Sequence, residues 1–385
     1  MNSDFHYYAT YCAAQLAGYT HEESLDIAYS DRFVDLCSKT MLSKLKAPSA
    51  AATTQLPLEM MDIRTDVVGL QLITRIWSSF HFLPYDLHAE PPKRCSKRYK
   101  NKYRLICGPN GELLKETVKL AKGNSLQAVG LAMHVLADTW AHRYFAGTPS
   151  LVINNTNRYF YELFPSENGY TEKKITFRHS ATSPDDLDKS IYTASLISNS
   201  ENSIMNLGHG RAGHLPDYSF IRYKYLPAWG NYEEIIKDNP SDYTHAFYQM
   251  VYAMKFLRGM YDSFETETYD TEVDENIREE VNRIINIRKL NLSDEWKALG
   301  EKLSGCEIEA FDVDKYRSEY LDADKNSKDN TFLGKFILSA LAQKSMVTNK
   351  IYNSGNKLAG YSIDYEDKGF KGIRAFKSLV KEDEA

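Results

Sequence analysis

Cysteine is scarce in this 385-residue chain, and its five copies (Cys12, Cys37, Cys95, Cys107 and Cys306) form no C-x-x-C pair. The odd number and wide spacing indicate neither a disulfide framework nor a cysteine zinc site. A basic excess is missing too: Lys plus Arg number 47 against 52 Asp plus Glu, a formal net charge of −5. That argues against a protein that coats DNA regardless of sequence. No run of eighteen apolar residues occurs; the best stretch, Phe332 to Leu341, is short and contains Lys335. The opening MNSDFHYYAT lacks a basic-then-apolar leader. With 20 Gly and 12 Pro the chain is no low-complexity polymer. These absences set the expectation of a soluble, cytoplasmic protein with reduced thiols and no stable membrane insertion. What is abundant is the aromatic ring: 27 Tyr and 17 Phe, suited to thick helical packing or a ring-lined pocket.

Helical signals dominate. Phe5 to Ala17 is apolar on most faces, with Gly18 placed as a stop. Thr20 precedes Glu23 at capping-box spacing, opening a helix through Val34 towards Leu45. Lys46 to Leu58 reads as a loop, and a third helix is expected over Met60 to Ser79. A short helix near Glu112 to Lys122 precedes a long one capped by Ser125 and reaching Phe145. Ser183-Pro184-Asp185-Asp186 reads as a helix start, with that helix running to Asn206. Another helix is expected near Tyr243 to Phe264, followed by an acidic stretch, Glu265 to Glu275. Strand signals are few, Lys174 to Arg178 being the best. The expected class is therefore all-α, with residues 1–264 as one helical domain and 276–385 as a C-terminal helical extension.

One helix carries charge where it should not. Leu126 to Trp140 (LQAVGLAMHVLADTW) is apolar nearly all round, the pattern of a buried helix. Its only ionisable groups are His134 and Asp138, and His142 follows four residues on. Buried imidazoles and carboxylates need partners. Residues at i and i+4 share a face, so His134 and Asp138 can grip one cation. His142 lies eight residues from His134, about 12 Å along the axis. One ion with bonds near 2 Å cannot readily take both, so three ligands imply at least two metals, bridged by Asp138. The plainer alternative is that the three groups satisfy one another and nearby backbone.

Other His and Asp residues recur in order: His6 in the first helix, Asp31 and Asp35 in the second, His81 and Asp86 in SSFHFLPYD, and His209, His214 and Asp217 in GHGRAGHLPDY. Neutral nitrogen with carboxylate oxygen is the ligand set that suits zinc. Singly, each is as well read as a cap, a surface loop residue or a core histidine. Gly208 to Gly213 matches G-x-G-x-x-G, but no strand precedes it and Pro216 interrupts any helix after it, so a dinucleotide site is not supported. His21-Glu22 opens like H-E-x-x-H, but Leu25 stands at the fifth place. There is no adjacent His-Asp pair and no G-x-S-x-G elbow.

This order of motifs, and above all FHFLPYD and LAMHVLADTWAH, resembles the zinc-dependent phospholipase C family and the related single-strand-specific zinc nucleases. The resemblance covers about residues 1–220. It implies an all-helical bundle around a buried trinuclear zinc cluster, here with additional C-terminal helices, that hydrolyses phosphoesters. Carried across, it implies that Asp35, His81, His134 and Asp138 hold a first metal, Asp35 also serving as a base. It implies a second metal on His142, on His209 or His214, and on Asp217, and a third on His6 and the bridging Asp138. The family's third zinc takes the amino group and carbonyl of a processed N-terminal Trp, whereas this sequence reads Met1-Asn2-Ser3, with Asp4 as the nearest substitute.

The expectation is metal-assisted phosphoester hydrolysis with two or three Zn2+ per chain, on a phospholipid head group or single-stranded nucleic acid. Arg211 could clamp the phosphate, or face solvent as a loop residue. The basic run Lys93 to Arg104, interleaved with Tyr99 and Tyr103, could attract a phosphate-rich substrate, or be a solvated loop. The competing reading is a non-catalytic, metal-stabilised helical interaction protein.

Overall fold

The chain is described by a computed structural model over residues 1–63, 67–167, 169–178, 184–194 and 207–360. Asp4 caps the first helical stretch, which winds as a π-helical turn over Phe5–Ala9 and continues as α1 (Thr10–Leu16). Gly18 (φ +85°) stops it. The Thr20–Glu23 capping box forms and opens α2 (His21–Val34); Ser38 caps a separate α3 (Lys39–Leu45). Then come α4 (Pro57–Ile63), α5 (Val67–Phe80), α6 (Lys97–Tyr103) and α7 (Glu112–Ala121). Ser125 caps α8 (Leu126–Ala141), which ends four residues before the expected Phe145 because His142 takes the C-cap. A single turn, α9 (Leu151–Asn154), follows.

Almost every side chain of α8 is buried, as its all-round apolar pattern demands. It packs against α2, α5, α7 and two helices from later in the chain. Gly130 explains the closeness of α2: a Cβ there would lie 2.2 Å from the Ile27 carbonyl oxygen. The missing side chain lets the two backbones touch and brings the carboxylates of α2 beside His134.

The all-α expectation is overturned by six strands among the described residues. β1 (Phe160–Ser166), β2 (Gly169–Lys174), β5 (Arg222–Tyr225) and β6 (Ile235–Asp238) form an antiparallel sheet of order β2-β1-β5-β6. β3 (Thr176–Arg178) and β4 (Ile191–Thr193) pair in parallel. The fold is a mixed one, helices with a small sheet. These strands are short, but their period-2 pattern is present: Tyr223 and Tyr225 are buried while Arg222 and Lys224 point outward. Phe160 stacks on Tyr225 at 5.3 Å, and Tyr225 on Phe145 at 5.7 Å. The sheet thus builds a second apolar cluster, which holds Phe82 and Phe145 next to the two loops that follow α5 and α8.

The helix expected from Ser183 fails over its described part, 184–194, which is a turn leading into β4. The Asp185 carboxylate accepts from Thr193 N at 2.6 Å and from the Tyr218 hydroxyl at 2.7 Å, closing a loop rather than capping a helix. The remainder of that expected helix lies outside the described residues. Lys174 to Arg178, expected as one strand, spans the end of β2 and all of β3.

α10 (Asn239–Leu257) stops short of the expected Phe264, at Arg258 and left-handed Gly259. The chain then adds α11 (Glu275–Asn286), α12 (Ser293–Ser304), α13 (Arg317–Asp322) and α14 (Phe332–Asn353). These last helices share the main core: Trp296 meets Phe5 at 5.8 Å and Phe336 meets Phe33 at 4.9 Å. No described helix is long and apolar enough to cross a membrane.

Candidate metal centre

Five elements converge at the C-terminal half of α8. The π-helical turn brings His6, α2 brings Asp31 and Asp35, and the end of α5 brings His81. α8 itself brings His134, Asp138 and His142, and the loop before β5 brings His209 and Asp217. The α8 spacing does what four-residue steps require: His134 Nε2 and His142 Nδ1 lie 3.2 and 3.5 Å from Asp138 Oδ2. Phe82, held by the sheet cluster, stacks on His142 at 4.6 Å. Gly208 (φ +53°) leaves room for that ring, since a Cβ there would sit 2.2 Å from it.

The ring nitrogens sort into two classes. On the outer side each faces an oxygen. His6 Nδ1 and His134 Nδ1 both donate to Asp31 Oδ1, at 2.6 and 3.0 Å. His81 Nε2 donates to the Thr53 carbonyl at 3.0 Å, and His142 Nδ1 to the His81 carbonyl at 2.6 Å. His209 Nδ1 donates to the Gly213 carbonyl at 2.7 Å. Carbonyl and carboxylate oxygens only accept, so these contacts fix which nitrogen carries the proton.

The remaining nitrogen of every ring faces inward. His6 Nε2 lies 3.2 Å from Asp138 Oδ1, and His81 Nδ1 lies 3.1 Å from Asp138 Oδ2. His134 Nε2 and His81 Nδ1 are 3.3 Å apart, and Asp35 Oδ1 is 3.8 Å from both. His142 Nε2 is 3.3 Å from Asp217 Oδ1, and His209 Nε2 is 3.7 Å from Asp217 Oδ2. The Met1 nitrogen is also here, 2.5 Å from Asp138 Oδ1 and 3.6 Å from Asp217 Oδ1. Asp35, His81 and His134 offer ligand atoms close enough to share one ion, as do His142, His209 and Asp217.

A family model matches residues 1–351. The chain belongs to that family, described as a Family of unknown function (DUF6765). No curated protein and no solved structure matches the chain. The family match takes in every residue of the centre, from His6 to Asp217, together with α11, α12 and α13.

The charges are strongly coupled. Burial opposes charge on His134, but Asp138 and Asp35 outweigh it and raise its pKa to about 10. Burial would likewise raise Asp138; His142, the Met1 amine and His134 pull it well below the usual carboxylate range. Asp217 is held low by His209 and the same amine against the burial effect. His209, partly desolvated and beside the imidazoles of His142 and His214, is pushed down to about 4 although Asp217 opposes this. Asp35 is lowered by His134, His6 and Arg32, again against burial.

The structure brings together every expected ligand except one. His214 is 59% exposed at its side chain, with Nδ1 3.5 Å from Asp217 Oδ2, so it stands at the rim while His209 completes the set with His142. Arg211 lies partly buried in the same loop, and burial and Arg158 lower its pKa. Asp217 sits in a short 3-10 turn over Leu215–Asp217, not on a long helix. Sequence reading noted Asp31 and gave it no part. Its signal was there: it is four residues before Asp35, hence on the same face of α2, and it is fully buried.

Proposed function

We propose that this chain is a metal-dependent phosphoester hydrolase working with a di- or trinuclear zinc cluster. The observation that carries this reading is that five imidazoles each spend their outer N–H on an oxygen and aim the other nitrogen at shared carboxylates. A ligating histidine has its second nitrogen held in this way. The donor set, nitrogen and carboxylate oxygen without thiolate, suits zinc. Asp35, His81, His134 and Asp138 would hold one ion, His142, His209 and Asp217 a second, and His6 with Asp138 a third. When bound, such ions lower the pKa of water and polarise a phosphoryl oxygen.

The chain's own residues then position and exchange protons. Asp35, 27% exposed and anchored by Arg32 at 2.6 Å, stands between the buried imidazoles and solvent as the proton acceptor. His214, kept protonated more readily by its hydrogen bond to Asp217, places positive charge at the rim where an anion arrives. The phosphoester class rests on the resemblance to phospholipase C and single-strand nucleases.

The non-catalytic reading draws on the depth of His6, His134 and Asp138, which are at most 1% exposed. Structural metal sites are closed, however, and here the edge formed by Asp35, His209 and His214 is open to solvent. The deciding experiment is zinc analysis of the purified full chain with hydrolysis of bis-p-nitrophenyl phosphate, a short single strand and phospholipid vesicles. Chelator-sensitive turnover, abolished in His134→Ala and Asp138→Ala, is expected. Full zinc occupancy without turnover on any of the three would leave a metal-stabilised scaffold. A steep loss of rate with salt would select the nucleic acid.

A further inference from the structure

On the reverse side of α8 lies a cavity of about 470 Å³ that none of the metal-centre residues lines. Trp140 follows Asp138 by two positions, about 200° round the helix, so the wall it forms faces away from the imidazoles. The cavity is a ring box: Tyr85, Tyr103, Trp140, Tyr144 and Trp229 all line it. The Trp229 indole lies 5.8 Å from the Tyr144 ring and 6.5 Å from that of Tyr103. It is fixed in place by its Nε1–H, which donates to the Tyr144 carbonyl at 2.8 Å. Tyr85 stands at the mouth, 52% exposed.

The polar lining is acidic. Asp86 and Glu267 both lie at the exposed rim, and among the described residues no Lys or Arg pairs with either. The one cation in the wall, Arg143, is turned aside: it pairs with Asp242 at 2.9 Å, a carboxylate that also holds the buried Lys237, and its guanidinium lies over the Tyr144 ring at 4.6 Å. Aromatic faces attract cations through the ring quadrupole, and unpaired carboxylates add to that field. We infer that this cavity is a binding site for an organic cation, an alkylated or quaternary ammonium group seated against Trp229, Tyr103 and Tyr85 with its charge towards Asp86 and Glu267. The same rings give a compact inorganic ion little to hold, because it keeps its water.

The test is titration of the full chain with tetramethylammonium chloride, read by indole emission at constant ionic strength, with tert-butanol as the uncharged counterpart. Saturable quenching by the ammonium is expected, with the alcohol weaker by about tenfold or more. Tyr85→Ala, and the double variant Asp86→Asn with Glu267→Gln, change exposed side chains and leave folding intact. Each should weaken the ammonium response by about threefold to tenfold. Stripping metal with a chelator should leave the response unchanged, since the cavity and the centre are separate. Equal quenching by the alcohol, an unaltered response in both variants, or loss of the response on chelation would each overturn the assignment.

Discussion

His134 Nε2 lies 3.3 Å from His81 Nδ1, although each ring already donates its other N–H, one to Asp31 and one to the Thr53 carbonyl. Two lone pairs cannot face each other at that distance without a positive charge between them. In the metal-free chain the charge is a proton, for His134 is raised to about 10 by Asp138 and Asp35 against the effect of burial. A cation that takes this place must expel that proton. Zinc binding at pH 7 should therefore release protons, and affinity should climb about tenfold per pH unit for each proton displaced. Calorimetry in two buffers of different ionisation enthalpy measures this; identical heats in both would refute it. The same shift sets the pH dependence of the metal-free fold. A value raised from the unfolded 6.5 to about 10 gives stability that is full below 6.5 and lost as pH rises through 10. Denaturant midpoints of the stripped chain should fall across that window, and those of the zinc-loaded chain should not.

Asp31 is the second point of leverage. One of its oxygens receives the Nδ1–H of both His6 and His134, and the other accepts from the Thr10 hydroxyl at 2.6 Å. In Asp31→Asn the amide nitrogen can turn to the Thr10 hydroxyl, which accepts as well as donates, but the oxygen left to receive both ring N–H groups has lost its charge and holds them more weakly. Loss of such an outer partner lowers metal affinity by about 10- to 100-fold. Competition with a chelating indicator should show that drop while circular dichroism stays that of the parent. An affinity within error of the parent would remove Asp31 from the centre.

What the residues made legible, and what they did not, follows from length and distance. α8 could be read because a sixteen-residue helix that is apolar nearly all round leaves His134 and Asp138 conspicuous, and the caps at Thr20 and Ser125 are local hydrogen bonds that a few residues specify. The sheet could not. β5 is only Arg222–Tyr225, too short for its alternation to outweigh the helical patterns around it; β6 follows it closely, but its other partner, β1, lies far back in the chain. Asp185 misled for a similar reason: its Pro-Asp-Asp setting suits a helix start, but the tertiary partner Tyr218 claims the carboxylate. The choice between His209 and His214 rested on a loop whose path depends on Gly208 passing against Phe82, a contact no local pattern encodes.

Gly130 tests the claim that helix contact positions the carboxylates. Its absent Cβ would meet Ile27 O at 2.2 Å and Asp31 N at 2.9 Å, both backbone atoms of α2. Gly130→Ala must therefore push α2 away, although alanine is the better helix former. Overpacking of this kind costs about 1–3 kcal/mol. Urea unfolding should show that loss, and zinc affinity should fall with it, because Asp31 and Asp35 move with α2. A variant as stable as the parent would mean that the helices do not meet here as described.

His6 decides how many cations the centre holds. Its Nε2 and the Met1 nitrogen both approach Asp138 Oδ1, at 3.2 and 2.5 Å, while Asp138 Oδ2 turns to His81 and His134. The two oxygens thus serve different corners, and a bridging carboxylate is what a shared ligand between two ions requires. His6→Ala removes one corner only: zinc content should drop by one equivalent per chain, with the ion on Asp35, His81 and His134 retained. His142→Ala should remove the ion shared with His209 and Asp217, whereas Asp138→Ala should disturb both of the corners it joins. Elemental analysis after dialysis against dilute zinc reads these counts directly. If His6→Ala leaves the count unchanged, no ion depends on that corner, and the cluster is dinuclear.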